Sequence, residues 1–228
     1  MNYSLITPIF DAQIKEIRSR IRLSMNGIVS DRMTESGILY KKNYGVAIPR
    51  IKEIAASYSK NHDLAQRLWL LQIRETMIMA TLLEPTDKFT FDLAIKWISQ
   101  FDQIEMVEQT TMNLLCKLPF ASTLAVECVN SDGFWFQVTG FILAARIFDK
   151  INTPEMEFLI EKALVFSTTN ELHLYKAVGL CLSRFCRTSN DMAEYILEKI
   201  TTSFQSNSIA QNYILDEVKQ EILFLNIL

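Results

Sequence analysis

Apolar residues recur at steps of three and four along almost the whole chain. Wound at 3.6 residues per turn, residues 10–24 place Phe10, Ile14, Ile17, Ile21 and Met25 on one stripe. A looser stretch marked by Gly27, Gly37 and Gly45 follows. Pro49 then stands as an N1 proline opening a helix that the pattern carries to about Tyr58. Asp63–Glu84 is apolar on more than one face, predicts a break near Leu71–Arg74, and is closed by Pro85. Further helices are predicted over residues 88–99, 103–117, 119–129, 133–149, 154–167, 170–187, 190–203 and 207–226. The punctuation agrees: Pro119 follows Leu118, residues 130–133 read as a turn, and Asn152-Thr153-Pro154 supplies an N-cap and a proline.

Loops this short make successive helices antiparallel neighbours. Helix pairs repeat at about 35–40 residues, the range of HEAT-like repeats. The expected fold class is therefore all-α: a curved α-α superhelix of antiparallel helix pairs, one domain over residues 1–228, with a compact irregular bundle as the alternative. Composition adds that the chain, 49% apolar and 21% charged, is a folded one, and that six Gly and five Pro are too few for a turn-rich all-β architecture. No apolar run reaches the length of a membrane span, and the N-terminus lacks the pattern of a secretory leader. Cys116, Cys128, Cys181 and Cys186 stand apart in apolar surroundings with only His62 and His173 as imidazoles. This argues against a zinc site and against a disulfide framework, so a cytoplasmic protein with no metal, no cofactor and no membrane partner is expected.

Charge is unevenly spread. The net charge is −3, yet residues 1–60 hold ten Lys and Arg, Lys41 and Lys42 among them, against five Asp and Glu. Such asymmetry points either to an anionic partner or to a solvated helix face. The phosphate-loop, dinucleotide-binding, nucleophile-elbow and zinc-protease fingerprints are absent. What remains is a row of carboxylates, Asp102, Glu105 and Glu108, spaced to share one helix face. Grouped carboxylates raise one another's pKa and suit acid–base work or stabilisation of a cation; they also form ordinary acidic first turns. On the 170–187 helix, Leu174, Ala177, Val178, Cys181, Leu182 and Phe185 make the core stripe, while Lys176, Leu180 and Arg184 follow on another face, an odd position for a leucine. Phe134-Trp135-Phe136 opens another helix with aromatics that either stack on bases or fill the core.

Three segments resemble the AlkD-like bacterial DNA alkylation repair glycosylases. They are Tyr44-Gly45-Val46 through Ile51 with Leu68-Trp69 and Arg74-Glu75; residues 103–108, where that family reads N-W-D-x-V-D; and residues 176–184, where it has a K-A-I-G-W-x-L-R-like run. The resemblance spans about residues 40–190 and implies a HEAT-like fold, excision of cationic alkylated bases from DNA, and no metal. In such a site an aspartate stabilises the positive charge that develops on the deoxyribose, and aromatic faces hold the cationic base. By the same resemblance the aspartate falls on Glu108, its two tryptophans fall on Ile104 and Leu180, and a cation expected after Trp135 falls on Val138. These departures imply a divergent member that binds double-stranded DNA through Lys41, Lys42, Glu105, Trp135, Lys176 and Arg184, with excision weak or lost. An active glycosylase using Glu108 and a scaffold for a protein or peptide partner are the alternatives.

Overall fold

The predicted periodicity is realised as thirteen α-helices, with no strand, among the residues described by this computed structural model, 8–204 and 208–226. The expected start of the last helix at residue 207 lies outside them. The chain divides into two compact units, Met1–Thr90 and Phe91–Leu228.

The first unit holds α1 (Pro8–Leu23), α2 (Gly27–Glu35), α3 (Ile48–Ala55), α4 (His62–Leu70) and α5 (Arg74–Leu83). The α1 stripe buries Ile17 and Ile21 completely, but the helix ends at Leu23, so Met25 lies off the stripe and 65% exposed. The break predicted near Leu71–Arg74 is a real turn, with Gln72 at φ 53°. It folds α5 back along α4, so that Asn61 N–H donates to Leu83 O at 2.9 Å. At the same end His62 Nδ1 lies 2.6 Å from buried Glu84, which also accepts from Gln66 Nε2 at 2.8 Å. Burial raises the Glu84 carboxyl above the ordinary glutamate range, against the hydrogen bonds from His62 and Gln66.

The helix absent from the sequence reading is α2. Asn26 caps it by accepting from Val29 N–H at 3.2 Å, yet it buries none of its residues, so there was no apolar stripe to find. Residues 43–46 lie across its start. Gly45 sits at φ +67°, and a Cβ there would fall 2.1 Å from Asn26 O and 2.7 Å from Ser30 N, so no other residue fits. Fully buried Glu75 on α5 accepts from Tyr44 N–H at 3.1 Å and Val46 N–H at 3.2 Å. Arg74 Nη1 bridges to Glu75 at 3.0 Å and donates to Val46 O at 2.9 Å. The first segment of the family resemblance is therefore a structural clamp that fixes a loop.

The second unit contains α6 (Phe91–Ile98), α7 (Ile104–Asn113), α8 (Ala121–Asn130), α9 (Phe134–Arg146), α10 (Thr153–Phe166), α11 (Leu172–Phe185), α12 (Asn190–Ser203) and α13 (Ile209–Leu225). Two single 3₁₀ turns, Leu115–Lys117 and Phe148–Lys150, end the stretches predicted as 103–117 and 133–149. Packing defines two layers. In one, α7 lies on α9, α9 on α11 and α11 on α13; in the other, α8 lies on α10 and α10 on α12. The layers are joined by α8–α9, α10–α11 and α12–α13 contacts, so each pair is one HEAT-like repeat. The stripe predicted on α11 is the core of this unit: Leu174, Ala177, Val178, Cys181, Leu182 and Phe185 are all buried. No helix among the described residues is long and apolar enough to cross a membrane.

Candidate functional site

The layer α7–α9–α11–α13 carries a cleft of about 370 Å³ on its outer face. The helices contribute both side chains outside their core stripes and the edges of core residues such as Ile142 and Ala177. The lining side chains are Ile104 and Glu108 from α7, Ile142 from α9, His173, Lys176, Ala177 and Leu180 from α11, and Tyr213 and Glu217 from α13. Leu180, off the stripe in sequence, is thus half-buried in the cleft wall. Gly179 lets α13 close on α11 here, because a Cβ at that position would meet the Tyr213 ring at 3.1 Å.

Glu108 is exposed at the rim, where the surrounding protein strips enough water to raise its carboxyl above the ordinary glutamate range. Arg146 opposes that shift, Glu105 adds to it, and His173 opposes it. The Lys176 ammonium lies 5.9 Å from the centroid of the Tyr213 ring, which is also tilted against Tyr175 at 5.4 Å. Burial, with Glu217 beside it, pushes the Tyr213 phenol up to about 12. The cleft is therefore a mixed surface: aliphatic walls, two carboxylates, an ammonium and a phenol that stays protonated.

The predicted site residues separate into groups. Glu108, Ile104, Lys176 and Leu180 come together in the cleft. Glu105 stands one turn before Glu108 on α7, but Asp102 precedes the helix, whose N-cap is Gln103, so the row of three carboxylates is a pair. Trp135 is half-buried, its ring edge-on to Phe134 at 4.9 Å and 5.7 Å from the His173 ring. Arg184 lies 3.8 Å from Glu221, which Arg187 holds at 2.6 Å, so its charge is shared within the unit. Val138 is fully buried and does not line the cleft, because that side of α9 faces the core. The Arg146 guanidinium, about two turns farther along the same helix, acts electrostatically on Glu108. The signal lay in the sequence: Trp135, Thr139, Ile142 and Arg146 are spaced to share one face of α9. Lys41 and Lys42 belong to the other unit. Both are exposed, Lys42 Nζ lying 5.1 Å from the Tyr44 ring centroid and Lys42 O accepting from Arg74 N–H. No group of three or more potential metal ligands occurs among the described residues.

The stacked helix pairs and outward-facing cleft define an all-α protein of the HEAT-like class. A solved structure from a family described as related to the HEAT-like repeat DNA glycosylases, with affinity for branched DNA structures, matches with a TM-score of 0.75. The match covers 90% of this chain and 94% of that one, at 14% identity, and is a likeness of fold. The sequence model for the DNA alkylation repair enzymes matches residues 30–211, and the chain belongs to that family. No curated protein sequence shows significant similarity to it.

Proposed function

We propose that this protein binds DNA and that its capacity to excise alkylated bases is weak or lost. The observation that carries the reading is the wall around Glu108. At the positions where the resemblance puts tryptophans the cleft offers Ile104 and Leu180, with Ile142 and Ala177 beside them; of its two rings, His173 lies against Trp135 and Tyr213 already faces the Lys176 ammonium. An ammonium at that ring repels a cationic base instead of attracting it. If each missing aromatic contact is worth about 1–3 kcal/mol in the transition state, two together slow cleavage by orders of magnitude. Glu108 keeps a carboxylate and Arg146 a neighbouring cation, so the site retains electrostatics without a cage for the base. The excess of cations over residues 1–60 supports contact with phosphates. Branched DNA, for which the structurally similar family is described as having affinity, is the form we carry over to this chain.

The test pairs binding with chemistry. Fluorescence anisotropy at about 50 mM salt is expected to show DNA binding that weakens steeply as salt is added. Single-turnover incubation with excess protein is expected to release no 7-methylguanine or 3-methyladenine from methylated duplex. Robust release that disappears in Glu108→Gln would establish an active glycosylase instead. No binding to any DNA form would leave a scaffold for a protein partner.

A further inference from the structure

The first unit carries a feature that its core does not explain. At the corner between α1 and α2, Leu23 is 86% exposed, Met25 65% and Ile28 68%. These large apolar side chains stand within six residues of sequence on a helix end, a turn and the start of a helix that buries nothing. Hydrogen bonds hold the corner in place. Asn26 N–H donates to Tyr44 O at 2.8 Å, Ser30 Oγ donates to Asn43 O at 3.2 Å, and Asn26 closes the first turn of α2.

Cations surround this knuckle. Arg22 Nε lies 3.4 Å from Tyr44 Oη and the Lys42 ammonium lies over the same ring, with Lys41 beside it and exposed. Although partial burial alone would raise it, the Tyr44 phenol is drawn below the ordinary tyrosine value by hydrogen bonds and charge from Arg22 and Lys42. Arg50 Nε donates to Ser24 Oγ at 3.1 Å, its charge met by Glu53 at 2.8 Å. On α2, Asp31 and Glu35 stand farther along, with Arg32 between them.

An apolar knob ringed by cations is the complement of one DNA surface. A base pair at a branch point or other interruption shows its flat apolar face, framed by the phosphates of the strands that part there. A continuous duplex hides that face in the stack. Apolar wedges of Leu, Ile or Met against base steps, with Lys and Arg on the flanking phosphates, are a known mode of contact. An anionic bilayer also pairs cations with apolar side chains. Here, however, the apolar residues form a knuckle at a turn, and the nine-residue α2 presents no continuous apolar face to a membrane.

Resting on the DNA-binding reading above, we propose that Leu23, Met25 and Ile28 form a wedge that stacks on the open base-pair face of branched DNA. Arg22, Lys41 and Lys42 take the flanking phosphates. The wedge distinguishes interrupted from continuous DNA without any chemistry at Glu108.

The experiment compares the full chain with the triple variant Leu23→Ser, Met25→Ser, Ile28→Ser, all at solvent-exposed positions, after matched melting curves. Anisotropy is measured on a four-way junction and on a linear duplex of the same sequence. The expected result is a junction preference in the natural chain and loss of about ten-fold or more in junction affinity in the variant, with linear binding unchanged. A 2-aminopurine at the branch point is expected to change fluorescence with the natural chain only. Undiminished junction preference in the variant, or equal loss on both DNAs, overturns the wedge while leaving DNA binding intact. If the natural chain binds neither DNA, the DNA reading itself fails and the wedge falls with it. Vesicles of phosphatidylglycerol and phosphatidylcholine complete the set: capture by them that the triple variant loses, with no junction preference, assigns the knuckle to lipid and overturns the proposal.

Discussion

A carboxyl at the rim of an aliphatic cleft is pulled two ways, and at Glu108 the loss of water wins over the pull of Arg146 and His173. Its folded-state pKa therefore lies above its unfolded one, and the folded protein binds more protons between the two values. Glu108 then costs no stability in acid below the ordinary glutamate range and becomes unfavourable as pH rises through its folded pKa. Glu108→Gln is expected to melt higher than the natural chain at neutral pH and at the same temperature in that acid range. Carbon-detected NMR of the glutamate carboxyls provides the direct check: the Glu108 pKa rises further in Arg146→Ala and falls in Glu105→Gln. Some of this site was legible in the sequence and some was not. Leu180 stood out because it broke a stripe, and it does line the cleft. Arg146 was not legible as a neighbour of Glu108, because a family pattern fixes order along the chain, whereas the face of α9 that meets the cleft is fixed by helix rotation. That rotation brings Arg146 toward Glu108 and turns Val138 inward.

Among elements, periodicity found those with a buried stripe and missed the one without. Helices α3 to α13 and α1 all carry apolar residues that pack, and their predicted positions agree with the structure to within a few residues. Helix α2 is held by a cap and by hydrogen bonds from the 43–46 segment, which leave no hydrophobic pattern to read. Gly45 is the joint of that arrangement. Gly45→Ala forces a β-carbon into the Asn26 carbonyl at a left-handed backbone angle, where even the angle costs about 1 kcal/mol or more. The expected outcome is a loss of about 2 kcal/mol or more in urea unfolding. Hydrogen exchange is expected to rise first in α2 and residues 43–46, and unchanged exchange there would show that α2 is held some other way.

Over the whole molecule, sequence reading gave the all-α class and the HEAT-like pairing, because both follow from the length and spacing of helices. No boundary is legible there, since the division at Thr90 falls in residues 84–90, a connection without a Gly- or Ser-rich linker. The uneven charge is the global property that bears on function. On the proposed DNA-binding reading, Lys41 and Lys42 meet phosphates and release counterions. The double variant Lys41→Ala, Lys42→Ala is therefore expected to flatten the plot of log affinity against log salt by about 0.9 for each lysine that touches DNA. A slope unchanged from the natural chain would place both lysines away from the backbone.

The four cysteine thiols give the fold a chemical consequence of its own. Cys128, Cys181 and Cys186 are buried in the second unit, and burial pushes the Cys128 and Cys186 thiols up to about 12 and Cys181 upward as well. At neutral pH a thiol with a pKa near 12 is ionised to roughly one part in 10⁵, and the thiolate is the form that methylating agents attack. The electrophiles that methylate DNA also attack thiolates. Tight packing of α8 and α11 thus makes the interior thiols resistant to the reagent, leaving half-buried Cys116 as the most accessible of the four cysteines.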